Sequence, residues 1–169
     1  MRFETFLKGI DNISEWSGRI FVWLIIPLTA LVVFEVISRR VFGAPHVWAT
    51  EVTNFIYGPH FMLVAAYTLL YKGHVAIDII YNRFSPRVRG ILDIFTHLAF
   101  FFPFCIIVFY EGIIFAKTSW LIHETSGSAA LPVIPEIKTV IPVTFALLLL
   151  QGLANFIRSI VQAVRGEAL

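Results

Sequence analysis

Four long runs of apolar residues dominate the chain, and charged residues or residues that end helices bound each one. The runs cover 20–38, 52–71, 94–110 and 139–157, and the only Asp, Glu, Lys or Arg inside them is Glu35. A helix needs about 20 mainly apolar residues to cross a hydrocarbon core ~30 Å thick at ~1.5 Å rise per residue. The pattern therefore predicts four transmembrane helices, at roughly 20–41, 48–71, 88–116 and 136–160.

A shorter amphipathic pattern precedes the first run, within residues 1–18. Its apolar positions recur at helical spacing: Phe3, Phe6, Leu7, Ile10 and Ile13. This pattern indicates a short helix lying in the cytoplasmic interface, with a loosely ordered leader as the alternative. We expect the first span to be retained rather than cleaved as a signal peptide, because the run continues into Glu35 and Arg39 without a small-residue cleavage site.

Composition and charge agree with a membrane protein. Hydrophobic residues make up 58% and charged residues only 14% of the 169, and the mean hydropathy is +0.82. A soluble domain carries about a quarter charged residues, and a net charge of +2 is too small to suggest nucleic acid as a partner. The sequence thus predicts an all-α membrane protein with a single membrane domain over residues 1–169.

The Lys and Arg residues predict the orientation. Nine of the 13 fall in the N-terminal segment, the loop after the second span and the C-terminal tail, and four fall in the other two loops. Because basic residues concentrate on the cytoplasmic side, both termini are expected in the cytoplasm.

Few residues inside the spans suggest chemistry. Zinc-ligand spacing, nucleotide-binding loops and nucleophile elbows are absent from the sequence, so we expect no enzyme activity, no cofactor and no metal site. His60 and His97 raise the alternative of a haem- or quinone-linked four-helix membrane anchor of a redox complex. Their predicted depths differ by about 8–10 Å, which argues against one shared iron. His60 is expected instead to form an interhelical hydrogen bond.

A free-standing four-helix carrier or channel is the other alternative, although no internal inverted repeat supports it.

Two local contacts are also expected in the spans. Glu35 and Arg39 have the i,i+4 spacing of a helical ion pair, with a contact to another subunit as the alternative. Pro142 removes a backbone hydrogen bond from the fourth span, so we expect it to face protein.

Three motifs lie at the ends of the predicted spans. Residues 39–51 read R-R-V-F-G-A-P-H-V-W-A-T-E, residues 72–78 read K-G-H-V-A-I-D, and L-P-V-I-P at 131–135 precedes Ile141-Pro142. The chain thereby resembles the small membrane subunit of tripartite ATP-independent periplasmic (TRAP) transporters, the DctQ-type family. That family pattern runs R-x-V-F-G-x-P-x-x-W-x-x-E, then G-H-V-x-x-D, then a proline-containing entry to the fourth helix.

The resemblance implies a multi-pass subunit of the bacterial inner membrane that has no transport site of its own. Its implied partners are the lipid bilayer, a large multi-span permease subunit and a periplasmic substrate-binding protein, in a sodium-coupled uptake system for organic acids. Within this hypothesis Glu51 is expected to cluster with Arg39 or Arg40, and Trp48 to anchor at the membrane interface. The candidate subunit-interface residues are Glu35, Arg39, Arg40, Trp48, Glu51, Gly73, His74, Asp78, Pro132 and Pro142.

Overall fold

The computed structural model describes residues 2–71, 81, 83–127 and 131–166, and the regular elements in these ranges are all helical. The helices are α1 (Arg2–Phe21), α2 (Ile25–Val41), α3 (Val47–Leu63), α4 (Ala65–Leu70), α5 (Pro86–Thr96), α6 (Phe102–Leu121) and α7 (Ile134–Arg165). The predicted all-α class is therefore confirmed for the described residues.

Three continuous helical stretches in the described ranges are long and apolar enough to cross a membrane. They are Glu4–Val41, Pro86–Leu121 and Ile134–Arg165, with 38, 36 and 32 residues, and they contain the predicted spans 20–41, 88–116 and 136–160. The predicted span 48–71 is divided at Val64 into α3, of 17 residues, and α4, of 6. The predicted span 48–71, and with it the number of four transmembrane helices, stays a prediction, as does the cytoplasmic placement of both termini.

The N-terminal helix α1 continues into α2 through one 3-10 turn, Val22–Leu24. Leu7 and Ile10 of α1 are buried, and they form an apolar cluster with Ala154 and Ile157 of α7. Phe6 and Ile13, on the same predicted apolar stripe, are exposed. Part of this stripe thus packs on protein, and the location of α1 in the cytoplasmic interface stays a prediction.

A π-helical segment, His97–Phe101, joins α5 to α6, and the Phe102 N–H donates to the His97 carbonyl five residues back. Pro103 follows directly, and a proline inside an α-helix lacks an N–H and clashes with the carbonyl four residues before it. A π-bulge inserts one extra residue into a helical turn and changes which carbonyls are bonded. The bulge thus allows the long helix to continue past Pro103.

Helices α6 and α7 pack closely where a glycine faces a proline. A Cβ at Gly112 of α6 would lie 3.0 Å from Ile141 Cγ2 and 3.3 Å from Pro142 Cδ. Pro142 is buried, as predicted for a residue facing protein. Small residues at such contacts let helix backbones approach each other, which favours packing in a bilayer, where lipid and side chains are equally apolar.

Gly90 of α5 is expected to tolerate no side chain, because it lies against the backbone of α7, which cannot move aside as a side chain can. A Cβ there would lie 2.7 Å from the Ala163 nitrogen and 2.8 Å from the Ser159 oxygen of α7. Gly90→Ala should therefore lower the free energy of unfolding in detergent by about 1–3 kcal/mol. The control is Gly9→Ala in α1, where the Cβ would meet nothing within 4 Å and the helix should gain about 0.5–1 kcal/mol. Equal effects would contradict the close approach of α5 and α7.

Candidate functional site at the turn between α2 and α3

The turn between α2 and α3 reverses the chain within five residues, 42–46. Gly43 has a φ of 64°, in the left-handed region that glycine adopts without steric cost. The backbone N–H groups of Phe42 and Ala44 both donate to the Ser38 carbonyl, at 3.2 and 3.1 Å. The F-G-A part of the first motif thus ends α2 and turns the chain toward α3.

The carboxylate of Glu35 stabilises this turn. Its carboxylate is buried, and one oxygen accepts hydrogen bonds from Arg39 Nη2 at 3.1 Å and from the backbone N–H of His46 at 3.2 Å. The other oxygen lies 3.3 Å from His46 Nδ1. The predicted Glu35–Arg39 pair is therefore present. The same carboxylate also connects the end of α2 to His46, the residue immediately before α3. The sequence did not indicate His46 as a partner.

Trp48 packs in a small aromatic cluster beside this carboxylate. The ring centroids of Phe34, His46 and Trp48 lie 5.5–6.2 Å apart. Trp48 remains 42% exposed, so part of its indole stays available to lipid or to a partner. The role of Trp48 as a membrane-interface anchor stays a prediction. Arg40, another residue of the first motif, is exposed as well.

Arg39 and Glu51 line the same open cavity of about 310 Å³, together with Pro45, His46, Val47 and Thr50. The sequence predicted that Glu51 would cluster with Arg39 or Arg40; Arg39 and Glu51 both line this cavity, and a contact between them stays a prediction. The carboxylate that hydrogen-bonds Arg39 here is that of Glu35. Because the Arg39 side chain is 56% exposed, its guanidinium can still contact a second molecule.

The other two motifs contribute differently. Gly73, His74 and Asp78 lie outside the described residues. Pro132 is exposed just before α7, whereas Pro142 is buried between α6 and α7. The last two therefore do not lie together in one surface site.

Glu124 connects the end of α6 to the start of α7. It accepts hydrogen bonds from Lys138 Nζ at 2.5 Å and from Ser119 Oγ at 2.6 Å. The hydrogen bond from Lys138, followed by that from Ser119, holds the pKa of the Glu124 carboxyl below its ordinary value of 4.5. The stability that this carboxylate contributes is thus present above about pH 4.5 and is lost as the pH falls through the lower pKa of the folded chain.

A second polar cluster, which the sequence analysis missed, joins α1 to α7. Gln151 is fully buried: its Oε1 accepts from Ser14 Oγ at 2.7 Å, and its Nε2 donates to Asp11 at 3.2 Å and to Asn155 at 3.3 Å. Arg158 donates to Asp11 at 2.5 Å and to Asn155 at 3.2 Å. We call these five residues the inner polar network. The i,i+4 amides Gln151 and Asn155 inside an apolar run were the signal that could have indicated it.

The two candidate haem histidines make local contacts. His60 Nδ1 lies 2.9 Å from the Phe21 carbonyl at the end of α1, which confirms the predicted interhelical hydrogen bond. His97 Nδ1 lies 2.7 Å from the Asp93 carbonyl of its own helix, and the His97 ring packs among Phe101, Phe102 and Phe156. In the described part of the chain, no group of three or more His, Cys, Asp or Glu residues could hold a metal ion.

Comparisons with known proteins identify the family. A family model described as "Tripartite ATP-independent periplasmic transporters, DctQ component" matches residues 28–162. The chain is also similar to the sialic acid TRAP transporter permease protein SiaT of Haemophilus influenzae (strain 86-028NP), with 26% identity over 134 residues. That alignment covers 76% of this chain and 21% of SiaT, so the chain corresponds to about a fifth of its relative. No solved structure matches the chain.

The family match extends from within the first predicted span to the last turn of α7, and it includes all three motifs. It confirms the resemblance that these motifs indicated. The chain belongs to the DctQ component family of tripartite ATP-independent periplasmic transporters.

Proposed function

We propose that this chain is the non-catalytic small membrane subunit of a sodium-coupled secondary transporter for organic acids. It scaffolds the large permease subunit in the bacterial inner membrane, and its outer loops help to dock the periplasmic substrate-binding protein. The DctQ family is a family of transport components rather than of enzymes, and the assignment does not favour the redox anchor considered above.

The proposal rests on the small share of SiaT that aligns with this chain. The segment of SiaT that resembles this chain is 21% of that protein, so nearly four-fifths of SiaT lies in the same polypeptide outside it. A covalent link between two parts raises their effective concentration. Parts that are fused in one protein therefore commonly bind each other where they occur as separate chains. The named substrate of SiaT is a carboxylic acid, which supports organic acids as the substrate class.

Co-purification tests the proposal directly. The tagged chain, co-expressed with the large membrane subunit of the same transporter and extracted in mild detergent, is expected to retain that subunit. Proteoliposomes with both subunits should take up an organic acid only with a sodium gradient and the binding protein. Purification of the chain alone, uptake without the large subunit, or a Soret band in the absorption spectrum would each contradict the proposal.

Glu51→Ala is expected to weaken complex recovery or uptake by about tenfold, because a lost charged hydrogen bond at an interface costs ~1.5 kcal/mol. Glu124→Ala makes a less clean comparison. Since Glu124 binds Ser119 and Lys138, its removal also perturbs the link between α6 and α7. Glu136→Ala is the cleaner control, because Glu136 is exposed in the first turn of α7. Equal losses for Glu51→Ala and Glu136→Ala would remove the reason for singling out Glu51.

A further inference from the structure

Asn54 places an exposed amide on the outside of α3, within an otherwise apolar run. It is the only exposed Asn or Gln among the described residues of the four predicted spans, and no hydrogen bond joins its side chain to the rest of the chain as described. Asn54 lies seven residues after the start of α3 at Val47, or about 10 Å along the helix. An amide facing lipid tails at that depth has no partner, which costs several kcal/mol.

Two neighbours on the same face make room for another helix. Thr50 and Gly58 lie four residues before and after Asn54, so all three residues share one side of α3. A Cβ at Gly58 would meet nothing within 4 Å, so no contact among the described residues requires a glycine there. Small residues about one turn before and after a polar side chain are typical of closely packed transmembrane helices. We call this surface the α3 face.

The α3 face begins at the cavity described above. Thr50 lines that cavity together with Arg39 and Glu51. A helix lying along the face would therefore pass from the charged groups of the turn to the amide of Asn54, and then to the open space at Gly58. Tyr57 and Phe61, whose rings stack at 6.0 Å and are both exposed, extend the same surface.

We infer that the α3 face is the surface on which a transmembrane helix of the large permease subunit docks, with a hydrogen-bonding side chain opposite Asn54. Lipid tails cannot donate or accept hydrogen bonds, so the occupant at this depth is protein. SiaT carries one segment like this chain beside a much longer remainder, which favours the permease over a second copy of this chain. The inference rests on the proposed function and names the surface it uses.

Two substitutions separate docking from folding. Asn54→Leu and Gly58→Leu should each reduce the amount of large subunit that co-purifies with the tagged chain by roughly three- to twentyfold. Neither should lower the thermal stability of the isolated chain, since one removes an exposed amide and the other fills open space. Gly9→Leu is the matched control, because Gly9 also has open space around it but lies on α1.

A photo-crosslinking amino acid at Tyr57 identifies the occupant, with Tyr110 of α6, which is at least as exposed, as the comparison. An adduct with the large subunit, formed at Tyr57 more strongly than at Tyr110, is the expected result. An adduct with a second copy of the chain or with lipid alone would overturn the inference. So would full retention of the large subunit by both leucine variants, while the proposed function would stand. Failure of the unmodified chain to retain the large subunit would instead overturn the proposed function.

Discussion

Gln151→Leu is expected to separate α1 from α7 and to lower the free energy of unfolding in detergent by about 2–4 kcal/mol. The change leaves the buried hydroxyl of Ser14 without its acceptor and removes two hydrogen bonds that Gln151 donates to Asp11 and Asn155. Each buried polar group left unsatisfied costs ~1–3 kcal/mol. Equilibrium unfolding followed by circular dichroism measures the loss.

Separation of α1 can be measured independently of global stability. In a Cys105→Ser background, an Ile10→Cys variant places a thiol where the native side chain is 5% exposed, and maleimide labelling should accelerate when Gln151 is replaced. Gln162→Leu, the same chemical change about three turns further along α7, should have little effect because Gln162 is only half-buried. The double variant Ser14→Ala/Gln151→Leu should regain part of the stability, since replacing both partners leaves fewer unsatisfied groups. Similar labelling rates for the Gln151 and Gln162 variants would contradict the proposed role of the inner polar network.

Glu35→Ala is expected to open the turn between α2 and α3 and to cost about 1–3 kcal/mol. The buried carboxylate accepts from the His46 backbone N–H as well as from Arg39, so its removal leaves a backbone donor unsatisfied. Arg39→Ala should cost less than about 1 kcal/mol, because the Arg39 side chain is 56% exposed and Glu35 keeps its hydrogen bond from the His46 backbone N–H. Hydrogen exchange of residues 42–46 and thermal unfolding measure the two effects.

The comparison between Glu35→Ala and Arg39→Ala shows which contact of Glu35 stabilises the turn. A larger loss for Arg39→Ala than for Glu35→Ala would mean that the ion pair, rather than the contact with His46, stabilises the turn. Glu111→Ala serves as the control, because Glu111 is an exposed acid on α6.

Much of the fold could be predicted because helical spans and short-range pairs are local properties. The stretches 88–116 and 136–160, the Glu35–Arg39 pair and the burial of Pro142 follow from hydrophobicity, i,i+4 spacing and the missing N–H of proline. The division of α3 from α4 at Val64 has no comparable signal, since residues 52–71 form one long run without Asp, Glu, Lys or Arg.

The contacts of α1 could not be predicted for a different reason. A stripe of apolar side chains packs equally well on lipid and on another helix, so the pattern of Leu7 and Ile10 does not distinguish the two environments. The Asp11–Arg158 pair joins residues 147 positions apart. Its formation depends on the register between α1 and α7, which one sequence does not contain.

The continuity of α1 and α2 has a geometric consequence. The 38 residues from Glu4 to Val41 extend about 57 Å at ~1.5 Å per residue, nearly twice a hydrocarbon thickness of ~30 Å. An ordinary bilayer can cover only about half of such a rod, unless the rod leans steeply. Its charged residues before position 20 are Glu4, Lys8, Asp11, Glu15 and Arg19. We therefore expect the surplus turns at the N-terminal end of this rod, among hydrated headgroups.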